Sequence, residues 1–66
     1  MELMVNGESI CFEGDPQLGA LVDSYGLNRE GVVVEINGAI PERDQWDRFA
    51  LTAGDRVEIV RFMGGG

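Results

Sequence analysis

Residues 1–12, MELMVNGESICF, predict a β-hairpin from which the rest of the fold can be built. Apolar and polar residues alternate on both sides of Asn6-Gly7, a dipeptide that supplies the positive φ angles of a two-residue turn. One face of the hairpin then carries four apolar side chains, those of Leu3, Val5, Ile10 and Phe12. We expect Met4 and Cys11 on the opposite face.

A helix is predicted directly after this hairpin. Asp15 can cap its first turn and Pro16 fits the first helical position. Four apolar side chains follow at helical spacing: Leu18, Leu21, Val22 and Tyr25. Gly26 suits the left-handed residue that ends a helix, so we expect a helix of about ten residues.

The middle of the chain predicts a third strand followed by a turn and a helical segment. The β-branched run Val32–Ile36 favours a strand in the interior of the sheet. Asn37-Gly38 predicts a turn, and Ala39-Ile40 a short strand after it. Within Pro41–Phe49 we expect a helical turn whose aromatic side chains, Trp46 among them, cover the core.

The last strand is predicted over Arg56–Phe62, after a turn at Ala53-Gly54-Asp55. Alternation directs Val57 and Ile59 to one face and Val60 and Phe62 to the other. The element order predicts an α+β domain with a mixed sheet of four to five strands and one main helix on one face. With the last strand beside the first, this architecture is the ubiquitin-like β-grasp, over residues 1–63, followed by a Gly tail at 64–66.

Composition excludes several classes of function. The 66 residues include no His, a single Cys and no Lys, which rules out His-based triads, Cys–His pairs and a zinc site within one chain. A net charge of -7 argues against binding nucleic acid or an anionic membrane surface. No apolar run is long enough to span a membrane, and no basic, then apolar, leader is visible. We therefore predict a cytoplasmic protein without a metal.

The glycine run Gly64-Gly65-Gly66 is the most informative motif for function. Ordering such a run costs the most conformational entropy, so its use is access to a narrow channel in a partner. The reactive group that it carries is the α-carboxylate of Gly66, which must be activated as a mixed anhydride with AMP before a nucleophile can displace it. If the nucleophile is sulfur, the product is a thiocarboxylate. The alternative is a frayed terminus without chemistry.

Two blocks of sequence resemble the ThiS/MoaD family of bacterial sulfur carriers, and its thiamine-biosynthesis branch most closely. They are VVVEINGAI with PERDQW, residues 32–46, and GDRVEIVRFMGGG, residues 54–66. The resemblance implies a protein cosubstrate and not an enzyme. Gly66 would be adenylated by a ThiF-like adenylyltransferase and converted to a thiocarboxylate, while Gly64 and Gly65 thread into partner active sites.

The same resemblance implies the partners and the cofactor use. A sulfur donor protein would supply the sulfur, and a ThiG-like thiazole synthase would receive it to form the thiazole ring of thiamine. No cofactor would be bound by the chain itself, since the ATP is used by the partner enzyme.

An apolar patch near the Gly tail is predicted to bind these partners. Its members are Val60, Phe62, Met63 and Met4. For Cys11 we expect no chemical role, because no cationic neighbour in the sequence lowers the pKa of its thiol. The excess of carboxylates can steer docking onto a basic groove of a partner.

Other functions share the first chemical step. The chain could carry sulfur for another pathway, such as that of molybdopterin, cysteine or methionine. It could also be a ubiquitin-like modifier joined to lysines of target proteins, or a passive binding module. The fate of the activated carboxyl distinguishes a sulfur carrier from a modifier. Deletion of Gly65 and Gly66 distinguishes both of these from a passive binding module.

Overall fold

The first and last strands of the chain lie side by side in the middle of one sheet. A computed structural model describes residues 1–62, with strands β1 (Glu2–Val5), β2 (Glu8–Cys11), β3 (Val32–Ile36) and β4 (Arg56–Arg61). Their order is β2-β1-β4-β3; β1 runs parallel to β4, and the other neighbours are antiparallel. The predicted β-grasp with a mixed sheet is confirmed. The glycines 64–66, residue 63 and the domain boundary predicted there lie outside the described residues.

The opening hairpin forms as predicted. Asn6 and Gly7 have φ angles of 50° and 81°, which let β2 turn back onto β1. Three of the four inward side chains are buried and Ile10 is partly buried against them. The N-terminal ammonium donates a hydrogen bond of 2.8 Å to the carbonyl of Phe12, which closes the open end of the hairpin.

The helix α1 (Leu18–Ser24) begins later and is shorter than predicted. Its N-cap is Gln17, without a side-chain capping bond, and Asp15 accepts from the N–H of Gln17 through its backbone carbonyl. Two backbone bonds of 2.9 Å join residues 16–18 to residues 49–51. This pairing holds the segment before α1 extended, so the predicted cap at Asp15 was wrong.

The end of α1 follows the prediction more closely. Gly26 has a φ angle of 70° and ends the helix in the left-handed conformation. Leu18, Leu21 and Val22 are fully buried, as their spacing predicts. Tyr25, the fourth member of that stripe, is the C-cap and is 43% exposed, because the chain leaves the helix there.

The β3 strand lies at the edge of the sheet, and its predicted interior position was wrong. Val32, Val34 and Ile36 face the core, whereas Glu35 is exposed on the other side. The expected strand at Ala39-Ile40 is reduced to a single bridge between Ile36 and Ala39. The run of valines therefore indicates a strand with one buried face. It does not indicate a strand with neighbouring strands on both sides.

A 3₁₀ helix at Arg43–Arg48 closes the core beside β3. It buries Trp46, whose ring lies 5.6 Å from the guanidinium carbon of Arg43. Arg43 also donates to the carbonyls of Arg29 and Val32, at 2.8 and 3.2 Å. A shorter 3₁₀ helix spans Arg29–Gly31. Among the helices of residues 1–62, none is long and apolar enough to cross a membrane.

Candidate partner-binding site

The sheet has one face that no described element covers. The helix α1 packs on the side of the core, so alternate residues of each strand point away from it. We call this side the open face; its strand residues are Glu2, Met4, Ser9, Cys11, Val33, Glu35, Arg56, Glu58 and Val60. Any surface for partners on the sheet has to be built from these side chains and from those that follow the strands.

The apolar part of the open face lies where β4 ends. Val60 and Phe62 are 57% and 54% exposed, and Val33 stands directly opposite Val60 on β3. The N–H of Phe62 donates to the carbonyl of Gly31 at 2.9 Å, which holds the chain against the start of β3. We call Val33, Val60 and Phe62 the apolar end. It lies immediately before the residues predicted to carry the chemistry.

Met4 is not part of this cluster. It is 37% exposed on the open face, but the register pairs it with Arg56. Val60 lies four residues further along β4, about 13 Å away at the usual rise of a strand. Of the four residues predicted as a patch, the fold brings Val60 and Phe62 together, leaves Met4 apart, and does not describe Met63. Their role in binding stays a prediction.

Val33 belongs to this surface, although it was not among the residues predicted for it. The signal was present, because Val32, Val34 and Ile36 point to the core and alternation sends Val33 outward. Which residue of β4 lies opposite Val33 depends on the register of the two strands. No local pattern in the sequence indicates that register.

A hollow of about 360 Å³ lies beside Phe62, on the side of Leu27 and Arg61. Its lining offers no carboxylate, thiol or hydroxyl side chain. Within residues 1–62, no three side chains able to ligate a metal ion converge. The thiol of Cys11 is exposed on the far edge strand, opposite Glu2 and away from the apolar end. These described features supply no acid, base or nucleophile beside Phe62.

An ion-pair cluster fixes the end of α1 to the segment that carries Trp46. The guanidinium of Arg29 donates two bonds to Asp23, both 2.9 Å, and two to Asp47, of 2.8 and 3.0 Å. Gly19 lies beneath this cluster, where an added Cβ would collide with Arg29 and Asp47. Hydrogen bonds from Arg29 hold the pKa of both aspartates below the usual 3.8.

The ion-pair cluster predicts a pH-dependent contribution to stability. A carboxyl whose pKa is lowered in the folded state stabilises the fold above its unfolded pKa and loses that effect as the pH falls through the folded pKa. We expect Asp47→Asn to lower the free energy of unfolding slightly at pH 7, since the pair is exposed. The difference from the original chain should shrink as the pH falls below 3.8, in urea titrations at a series of pH values.

The control for this prediction is Asp44→Asn. Asp44 is an exposed neighbour with no ion pair among the described residues. Its effect on the free energy of unfolding at pH 7 should be smaller, because no ion pair is lost. A deficit of Asp47→Asn that stayed constant well below pH 3.8 would contradict the assignment.

Comparison with known proteins bears on the whole length of the chain. The model of the ThiS family matches residues 3–66, which include the core, the glycines and all of the open face except Glu2. The chain belongs to the ThiS family. The resemblance inferred from residues 32–46 and 54–66 is thereby confirmed.

Individual members of the ThiS family and related proteins agree with this assignment. The sulfur carrier protein ThiS of Bacillus subtilis is 34% identical over 65 residues, which cover 97% of this chain and 98% of that protein. A crystal structure of the thiamine biosynthesis protein ThiS from Geobacter metallireducens has a TM-score of 0.81 and 36% identity, with both chains covered completely. A thiazole synthase of Paramagnetospirillum magneticum is 36% identical over 66 residues, but this chain spans only 20% of its length.

Proposed function

We propose that this chain is a sulfur carrier protein of thiamine biosynthesis. Its Gly66 carboxylate would be adenylated and converted to a thiocarboxylate that donates sulfur for thiazole formation. The observation that carries the proposal is the end-to-end similarity to ThiS proteins, with a family match that extends through the glycines.

The chemistry assigns this chain the role of a cosubstrate. The Gly66 carboxylate attacks the α-phosphorus of ATP and pyrophosphate leaves, which gives an acyl adenylate. A hydrosulfide ion then attacks the carbonyl carbon, the bond from that carbon to the AMP oxygen breaks, and AMP leaves behind a thiocarboxylate. The partner enzyme binds the ATP, while Gly64 and Gly65, without side chains, let the reacting carbonyl enter a narrow active site. The chain needs only a reactive end and a surface by which partners hold it.

Three partners follow from this proposal. They are a ThiF-like adenylyltransferase, a sulfur donor protein and a ThiG-like thiazole synthase. Support for the last of them is the segment of a thiazole synthase that is 36% identical to this chain. We expect the partners to meet the chain in the cytoplasm, where ATP and a reduced sulfur source are present together.

The experiment that tests the function is intact mass spectrometry. The chain is incubated with ATP, a purified ThiF-like adenylyltransferase and a sulfur source, with a matched incubation lacking ATP as control. Replacement of one oxygen by one sulfur, dependent on ATP, supports the carrier function. Amide-linked adducts with other proteins would instead indicate a modifier, and an unchanged mass would overturn both.

The apolar end provides a separate prediction about binding. Phe62→Ala should weaken binding to the adenylyltransferase about tenfold or more, because truncating a residue that anchors the centre of an interface costs about 2 kcal/mol or more. Isothermal titration calorimetry measures the affinity, and urea unfolding checks that the fold is unchanged. Tyr25→Ala is the matched control, since Tyr25 is an exposed aromatic at the end of α1 and outside the open face. Equal affinities for the two variants would remove the apolar end from the interface.

A further inference from the structure

Two glutamates face each other on the open face. Glu35 of β3 and Glu58 of β4 are direct partners in the antiparallel register, and both are exposed. The Cβ atoms of such partners lie about 5 Å apart, and like charges at this separation destabilise a sheet. The register therefore places two negative charges side by side on the open face.

Neither Glu35 nor Glu58 forms an ion pair with another described residue. Among residues 1–62, the ion pairs are those that Arg29 makes with Asp23 and Asp47, on another part of the surface. Arg56 lies on the open face two residues before Glu58, opposite Met4, and forms no ion pair there. In the free protein, both carboxylates thus depend on solvent and salt for screening.

The glutamate pair borders the apolar end. The next pair on the same face of these two strands is Val33 and Val60, and Phe62 follows Val60 by two residues. An apolar centre with a charged border is the ordinary anatomy of a protein interface. A feature that costs stability on an uncovered surface is typical of residues retained for function.

We infer that Glu35 and Glu58, together with the apolar end, form a docking surface for a protein partner that places an arginine or lysine between the two carboxylates. The inference deepens the proposed function and rests on it, because the partner tested is the adenylyltransferase. The basic side chain would remove the repulsion that the free protein carries. The valines and Phe62 would be covered beside it.

Electrostatic charge distinguishes a basic partner protein from two other possible occupants of this docking surface. A second copy of the chain, packed face to face, would bring its own Glu35 and Glu58 and a net charge of -7 against the first. The chain's own last residues end in the Gly66 carboxylate, which the two glutamates also repel. A basic surface of another protein is the occupant that gains from both carboxylates.

The test compares two double variants that change the net charge equally. In Glu35→Gln/Glu58→Gln the cross-strand pair becomes neutral. In Glu13→Gln/Glu30→Gln two exposed glutamates outside the open face become neutral. Stopped-flow measurements with the purified ThiF-like adenylyltransferase give the association rate constants at low and high salt.

The expected results have opposite signs for binding and stability. Glu35→Gln/Glu58→Gln should associate about tenfold more slowly than the control variant at low salt, and the gap should narrow at high salt. In urea it should be at least as stable as the original chain, because a repulsion has been removed. Glu58→Arg should slow association further while creating a favourable pair with Glu35.

A failure of the docking inference can be distinguished from a failure of the proposed function by first testing the original chain for ATP-dependent sulfur incorporation. If the original chain incorporates sulfur and both double variants associate equally fast, the docking inference is overturned and the proposed function stands. A loss of stability in Glu35→Gln/Glu58→Gln would also overturn it, since the pair would then not be repulsive. If the original chain gains no sulfur, the proposed function fails and takes the inference with it.

Discussion

Deletion of Gly65 and Gly66 is expected to abolish ATP-dependent sulfur incorporation. The deletion leaves a carboxylate, but that group is withdrawn by roughly 7 Å of chain and no longer reaches the α-phosphorus of an ATP bound in the partner. The fold should be unaffected, because the buried core runs from Leu3 to Ile59. Intact mass after incubation with the adenylyltransferase measures the effect, and urea unfolding provides the check on stability.

A second variant tests whether the reaction takes place at the Gly66 carboxylate itself. A phenylalanine appended after Gly66 keeps every residue of the chain but displaces the reacting group and adds bulk next to it. This variant should also fail to gain sulfur. If the enzyme preparation removes the appended phenylalanine, the reaction should be restored. Normal sulfur incorporation by the deleted chain or by the intact extended chain would overturn the carrier proposal.

Replacement of Trp46 by alanine should remove a large part of the protein's free energy of unfolding. Trp46 is 2% exposed and is the largest of the fully buried side chains. Truncation of a buried Trp typically costs about 3 to 5 kcal/mol, and a domain of this size has about 3 to 10 kcal/mol of stability in total. Circular dichroism and urea titration measure the change.

The variant Trp46→Phe separates loss of volume from loss of the indole N–H. Trp46 Nε1 is buried without a hydrogen-bond partner among the described residues, so removal of the N–H costs no bond there. We expect Trp46→Phe to cost much less than Trp46→Ala and to remain folded. Equal destabilisation by the two variants would contradict the view that Trp46 acts through the space it fills.

Features set by neighbouring residues were predictable from the sequence. The Asn6-Gly7 turn, the left-handed end of α1 at Gly26 and the inward residues of β1 and β4 all follow from two or three adjacent side chains. The β-grasp order followed from placing the last strand beside the first, which the register of Met4 with Arg56 confirms.

Features set by distant residues were not predictable in this way. Asp15 and Pro16 have the local chemistry of a helix start, but pairing with residues 49–51 keeps that segment extended. The edge position of β3 likewise depends on Ala39 leaving the sheet after one bridge. At Asp15, long-range hydrogen bonds outweigh a local capping preference of about 1 kcal/mol.

The candidate site shows the same division. Alternation within β4 predicted that Val60 and Phe62 would point away from the core, and both are exposed. The separation of Met4 from Val60 and the opposition of Glu35 and Glu58 depend on strand register. Strand register is determined by how whole strands pack, so no short sequence motif predicts it.

The parallel contact between β1 and β4 has a mechanical consequence. Met1 and Phe62 leave the sheet from opposite ends, so tension between them acts along the strands and not across them. The N–H of Met4 donates to the carbonyl of Asp55 at 2.9 Å, and the N–H of Asn6 donates to the carbonyl of Val57 at 2.8 Å. Such tension loads both bonds at the same time. A protein that pulls on the chain at Phe62 while Met1 is held would therefore have to break both bonds together.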